Sequence, residues 1–138
     1  MMKRFDVAAF GEILIDFTYA GTSADGKKIY EENPGGAPAN CVAAVSKLGG
    51  KAAFIGMTGR DSFGADLRAT LQGLGVDISA MRYTDKQHTT LAFVSLDGKG
   101  ERTFSFCRNP GADTQMMTAD LDDGLLQSSR ILHVGSLS

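Results

Sequence analysis

The sequence predicts an α/β fold: a doubly wound, mostly parallel sheet with helices on both faces, carrying a small antiparallel ribbon. Three observations lead there. Apolar runs of strand length recur at Phe5–Phe10, Ala52–Met57 and Ile131–Val134, and they are continuous rather than alternating, as strands covered on both faces read. Apolar residues at helical spacing fill the stretches on either side of Ala52–Met57. After Val76 the apolar period shortens toward two, which marks a ribbon with one covered face.

Taken in order, Phe5–Phe10 ends at Gly11, and Ile13–Phe17 resumes the apolar run around Asp16, so both are expected as strands. Ala20–Pro34 is polar and contains glycine, and is expected as a loop with a short strand around Lys28–Tyr30. Gly35-Gly36 opens a helix running to about Leu48. Pro38 pre-sets its first turn and Ala39, Val42, Ala43, Val45 and Ser46 form a wide face. Gly49-Gly50 stops it. Strand Ala52–Met57 leads to the turn Gly59-Arg60-Asp61-Ser62, where Asp61 or Ser62 caps a second helix striped by Leu67, Leu71 and Leu74 and ended by Gly75. Thr89–Leu96 and Glu101–Cys107 pair as a hairpin across Asp97-Gly98-Lys99-Gly100. Phe104 and Phe106 alternate with Ser105 and so leave the same face of that ribbon. Beyond Asn109-Pro110-Gly111, Thr118–Gln127 is expected as a short helix with Asp120, Asp122 and Asp123 near its positive end. Ile131–Val134 is expected as a buried final strand.

Only Gly135-Ser136-Leu137-Ser138 follows that strand, whereas a parallel strand needs crossover helices on its faces. Residues 1–138 are therefore expected to be the amino-terminal part of one larger domain.

Composition excludes several classes. Hydrophobic residues make up 43% of the 138 and charged residues 22%, with a net charge of -2, the balance of a globular domain with a core. No basic run points to nucleic acid or an anionic membrane. The opening Met1-Met2-Lys3-Arg4-Phe5-Asp6 lacks a signal-peptide pattern, and no stretch reaches the roughly 18 apolar residues that span a bilayer. Cys41 and Cys107 are far apart with no partner at metal-ligand spacing, and are expected as two buried thiols in a reducing cytoplasm. His88 and His133 have no metal or triad partner nearby and read as structural. No residue of this chain is assigned a catalytic or metal-binding role.

The chemistry concentrates in Asn33-Pro34-Gly35-Gly36-Ala37-Pro38-Ala39-Asn40. Two glycines let the backbone approach a ligand, and the free N–H groups of the helix start can donate to hydroxyl or phosphate oxygens. Asn40 in the first turn both donates and accepts, as a polyol requires. The segment is neither a P-loop nor a dinucleotide fingerprint. The wider spacing is more specific. Gly35 to Ala44, then Leu48-Gly49, then Gly56-Met57-Thr58-Gly59-Arg60-Asp61-Ser62-Phe63-Gly64 closely resembles the first signature of the ribokinase-like (pfkB) carbohydrate kinases. Gly11 to Asp16 resembles that family's first sugar-binding strand. Glu101 to Asp113 and Leu132 to Ser138 are similar to its fructokinase branch. Val42 stands where the family more often has a small residue.

The resemblance implies a fold and a set of roles. Asp16 would accept hydrogen bonds from sugar hydroxyls, Gly35 and Gly36 would offer backbone contacts, and Asn40 a side-chain contact. Lid elements near 13–32 and 89–108 would close over the sugar, with Phe104 or Phe106 against the apolar face of a furanose ring. Arg108 would approach a hydroxyl, or a carboxylate in acid-sugar relatives. Glu12 reads as structural, and Arg60-Asp61 as turn and capping chemistry. The family's second signature, ending Gly-Ala-Gly-Asp with the catalytic base, does not occur in these residues. ATP and Mg2+ are therefore expected to be bound mainly by a missing carboxyl-terminal half, and this chain alone is expected to be inactive. The implied activity is phosphoryl transfer from ATP to fructose. The alternatives are 2-keto-3-deoxygluconate or another small sugar as substrate, or a non-catalytic sugar-binding module. A homodimer through the lid is an expected partner.

Overall fold

Among residues 2–135, which the computed structural model describes, the strands sort into two four-stranded sheets. In chain order the elements are β1 (Phe5–Phe10), β2 (Leu14–Thr22), β3 (Lys28–Gly35), α1 (Ala37–Lys47), β4 (Ala52–Gly59), α2 (Ser62–Gly73), β5 (Met81–Thr84), β6 (Leu91–Leu96), β7 (Arg102–Cys107), α3 (Asp123–Gln127) and β8 (Ser129–Val134). Two 3-10 turns, Ala112–Gln115 and Thr118–Asp120, lie between β7 and α3.

The first sheet is all parallel, in the order β5-β4-β1-β8. Every residue of β4 is buried, and the twofold alternation of a strand divides its apolar run between two layers. Phe54 joins Ala9, Val42, Leu67 and Leu71 under α1 and α2. Ala53 and Ile55 join Phe5, Ala8 and Leu125 on the opposite face, which α3 covers. Helices on both faces are thus what the continuous apolar runs required. Asp61 caps α2, its side chain accepting from Gly64 N, and α1 opens behind Gly36 with Pro38 in its first turn.

The second sheet departs from expectation. The strand expected around Lys28–Tyr30 is present as the start of β3, but the rest of 20–34 is more than a loop: β2 and β3 form a long antiparallel hairpin with a bulge between Tyr19 and Gly21. Its turn closes through Ser23 N donating to Lys27 O at 2.8 Å and Gly26 at φ +82°. The polar composition that suggested a loop belongs instead to a hairpin with little cover on its outer stretch. The β6–β7 hairpin forms as expected, but it is no separate appendage. A parallel pairing of β2 with β6 welds the two hairpins into the order β3-β2-β6-β7.

Smaller corrections follow the same logic. β5 was absent from the sequence reading because it offers four residues and only Met81 buried. The helix expected over Thr118–Gln127 breaks in two. Asp120 accepts from Met117 N at 2.8 Å and Asp122 from Leu125 N at 2.9 Å, so each aspartate starts its own short turn. The thiols are not both buried: Cys41 is half-buried and Cys107, ending β7, is exposed. In β8 the side chains of Ile131, Leu132 and Val134 are exposed, contrary to the buried strand expected. Ser136-Leu137-Ser138 of the quoted terminal segment lie outside the described residues.

Candidate functional site

From β1 the chain steps outward through β4 to β5 and then returns to the opposite side of β1 as β8. Where strand order reverses in this way, the loops leaving the carboxyl ends diverge and open a crevice. Three segments meet there: Gly11–Ile13 leaving β1, Gly36-Ala37 starting α1, and Gly135 after β8. They pack at backbone distance. Gly36 has φ +105°, and a Cβ on it would fall 2.5 Å from the Glu12 carbonyl. The Glu12 side chain is buried, and its Oε1 accepts from Ala37 N at 3.3 Å. A Cβ on Gly135 would lie 2.7 Å from Glu12 Oε2. Glu12 is thus a brace beneath the helix start, and its structural reading agrees with this position.

Asp16 sits one pleat further out on β2. Gly35 faces Leu14 in the β2–β3 register, and a Cβ on Gly35 would stand 2.8 Å from the Asp16 Cγ. Only glycine lets the carboxylate rest there. Burial pushes the Asp16 carboxyl above the ordinary aspartate range. A raised pKa with unused acceptor capacity suits a group that gains its hydrogen bonds from a ligand. Asn40 follows one turn into α1, its backbone N donating to Gly36 O at 2.9 Å and its side chain exposed. Gly35 and Asn40 also line a cleft of about 220 Å³ between α1 and α2, shared with Ile13, Leu67, Leu71 and Leu74. That cleft is apolar and leaves Asp16 out, so it does not match the chemistry of a polyol.

Register identifies what shares a face with Asp16. Asp16 pairs with Asn33 and Ala92, and Ala92 with Phe106; one row outward, Thr18 pairs with Glu31 and Val94, and Val94 with Phe104. The two phenylalanine rings stack 6.0 Å apart, 10° from parallel, and remain 53% and 54% exposed. The opposite face of the sheet carries a ladder of rings: Phe17 stacks on Phe93 at 5.2 Å and meets Phe63 of α2 edge-on at 5.8 Å. One face is therefore fastened to α2, while on the face with Asp16 the two phenylalanine rings stay half exposed beside the buried Ala92 and Val94.

Two aspartates, the half-buried Asp61 and the buried Asp113, fasten the feet of the β6–β7 ribbon. Asp61 accepts from Thr89 N at 2.8 Å and Thr89 Oγ1 at 2.7 Å. Burial opposes ionisation of Asp61, but the hydrogen bonds from Thr89 and Gly64, helped by nearby His88, outweigh it and hold the carboxyl below its usual range. At the other foot Arg108 Nη2 donates to Asp113 Oδ2 at 2.5 Å and Thr90 Oγ1 donates to Asp113 Oδ1. The sequence reading singled out neither Thr89, Thr90 nor Asp113. No local pattern distinguishes them, because each acts across 23 to 28 residues or around the turn at Asn109-Pro110. His88 accordingly stands beside a backbone contact, Nδ1 to Thr89 O at 2.9 Å.

Of the residues singled out, Asp16, Gly35, Gly36, Phe104, Phe106 and Arg108 gather on or beside one face, and Asn40 stands on α1 behind Gly36. Among the described residues no helix is long and apolar enough to cross a membrane, and no group of three or more His, Cys, Asp or Glu is placed to hold a metal ion.

Comparison with known proteins agrees in one direction. The model of the pfkB family of carbohydrate kinases matches residues 4–138. The probable fructokinase-7 of Arabidopsis thaliana is 47% identical over 134 residues, which is 96% of this chain and 39% of the plant protein. The crystal structure of fructokinase from Xylella fastidiosa superposes with a TM-score of 0.88 at 37% identity, over 94% of this chain and 40% of that one. The same enzyme with bound ATP gives 0.87 at 36%, over 94% and 42%. The chain thus spans about two-fifths of the length of the relatives it matches.

Proposed function

The chain belongs to the pfkB family of carbohydrate kinases, and from that premise we propose that it is the amino-terminal, sugar-binding part of an ATP-dependent fructose kinase. The observation that carries this reading is the Asp16 carboxylate seated against Gly35 at the switch-point crevice, on the same sheet face as two half-exposed phenylalanine rings. An ionised aspartate accepts from neighbouring sugar hydroxyls, while a flat ring covers the apolar side of a furanose. Backbone N–H groups at Gly35-Gly36 and the Asn40 amide supply the remaining polar contacts. The second sheet acts as the lid.

Phosphoryl transfer needs positioning, charge stabilisation of the phosphates and a base for the attacking hydroxyl. This chain supplies the sugar's position. In our reading the base, and the main binding groups for ATP and Mg2+, come from the carboxyl-terminal part of the full-length kinase, so the 138 residues alone turn over no sugar. The partners are a small sugar and, through the exposed edge of β7, a second copy of the lid. The compartment is the cytoplasm.

The test is an ATP-dependent assay of the full-length kinase on a panel of hexoses, ribosides and acid sugars. Fructose should give the highest kcat/KM, and Asp16→Ala should lower it by about tenfold or more, the loss of a charged hydrogen bond. Phosphorylation of no sugar, or an Asp16→Ala enzyme with unchanged fructose kinetics, would overturn the assignment.

A further inference from the structure

We propose that Asp113 sets a preference for uncharged over carboxylated sugars, by neutralising the arginine that stands one row from Asp16. This rests on the sugar-kinase reading above. Leu91 pairs with Cys107 and Ala92 with Phe106, so the next step of the same register sets Thr90 opposite Arg108, on the face of Asp16 and Phe106. An arginine there is well placed for a carboxylate, since its fork of N–H groups matches two oxygens. Its charge is already engaged. Asp113 has no exposed side-chain surface, and Arg108 keeps 20%.

The pair is built in rather than incidental. A Cβ on Gly111 would stand 2.8 Å from Asp113 Oδ1 and 3.0 Å from the Arg108 Cγ, so only glycine lets this turn close over both. Thr90 Oγ1 holds the second oxygen of Asp113, and Ala112 N donates to His88 O at 3.0 Å. A desolvated carboxylate held this way keeps its cation close. Near the sugar the substrate face then offers Asp16, with Glu31 in the next row and the Arg108 charge cancelled, while Arg102 stands two rows out from Asp16, opposite Leu96. An uncharged polyol meets acceptors, whereas a sugar acid meets like charge.

Replacing Asp113 by asparagine keeps the shape and an acceptor for Thr90, and removes both the countercharge and the acceptor that hold Arg108. In the full-length kinase we expect Asp113→Asn to raise the ratio of kcat/KM for 2-keto-3-deoxygluconate to that for fructose by about tenfold, the scale of one charge-assisted hydrogen bond. The double variant Arg108→Gln/Asp113→Asn should return the ratio toward that of the wild type. A site that was merely loosened would lose both substrates alike and would not respond to the second change. An unchanged ratio in Asp113→Asn, or a double variant that keeps the gain, overturns the inference while leaving fructose phosphorylation intact. Should the variant fail to fold, the wild-type enzyme decides. It should show no competition by 2-keto-3-deoxygluconate at concentrations near the fructose KM, and competition as strong as fructose itself would overturn the inference. A wild-type enzyme that phosphorylates no sugar overturns both readings.

Discussion

The two sheets are built from the same number of strands and are held by different means. In the parallel sheet, β4 is buried along its whole length and each side chain packs between helical layers. In the second sheet, β7 is exposed along its whole length. That sheet is attached through its aromatic face on α2 and through two aspartates at the feet of β6 and β7. The difference teaches where stability and recognition are placed. Burying apolar surface stabilises the first sheet diffusely, whereas the second depends on a few directional contacts and leaves the Phe104 and Phe106 rings half exposed. Substitutions should therefore separate the two: large losses of stability with no preference for the sugar in one, small losses with large effects on the sugar in the other.

The largest effect is expected at the centre of the first sheet. Phe54 is fully buried, and Phe54→Ala should cost about 3–5 kcal/mol by creating a cavity, read as a lower urea midpoint with circular dichroism. A loss below about 1 kcal/mol would mean that the layers collapse around the gap and that the contrast between the sheets is weaker than drawn.

Next comes the anchor between them. Asp61→Ala removes an α2 cap and both contacts to Thr89, and should cost about 2–3 kcal/mol. The sign with pH is fixed by the direction of the shift. Its folded pKa is depressed, so its stabilisation is complete above the unfolded value of about 3.9 and fades as pH falls through the folded one. The stability difference between wild type and Asp61→Ala should hold at neutral pH and shrink only in strong acid. A difference that shrinks already near neutrality would remove Asp61 as the group responsible.

The same division explains what the sequence disclosed. Strands β1 and β4 of the first sheet were legible because burial writes an unbroken apolar run, as in Ala52–Met57, and Pro38 and Asp61 mark helix starts by their own chemistry, whereas the little-covered β5 was missed. Asp16, Gly35 and Gly36 drew notice through the motif resemblance, and the fold brings them together. The β2–β3 hairpin was not legible, since Lys28, Glu31 and Glu32 line a strand with little cover and look like a loop. Arg108 was singled out as a candidate but its countercharge was not, because whether Asp113 faces Arg108 or solvent is decided by the fold of the turn between them.

Asp16 comes third, where stability and function oppose each other. Burial raises its pKa, so holding it ionised at neutral pH costs the folded protein some stability, present as pH rises above the unfolded value of about 3.9. Asp16→Asn should therefore be as stable as wild type or slightly more so at pH 7, while the fructose KM rises about tenfold or more for want of a charged acceptor. On acidification the wild-type KM should begin to climb at a higher pH than an ordinary aspartate would give, and the variant should lack that limb. A variant both destabilised and pH-dependent like wild type would move Asp16 from ligand acceptor to structural group.

The smallest effect on stability, and the sharpest separation of the two sheets, is expected at Phe106. Its ring is more than half exposed and stacks on Phe104 rather than on the core, so Phe106→Ser should change the unfolding free energy by no more than about 0.5 kcal/mol, as surface substitutions do. The ring nonetheless shares a face and a register row with Asp16 through Ala92. If a furanose lies between them, removing the ring should raise the fructose KM several-fold in the full-length kinase while leaving the KM for ATP unchanged, the scale of one aromatic contact at about 1 kcal/mol. The converse pattern, a lower melting temperature with fructose kinetics unmoved, would assign the rings to packing against another lid. The face that carries them would then be an association surface, and Asp16 would hold the sugar from one side only.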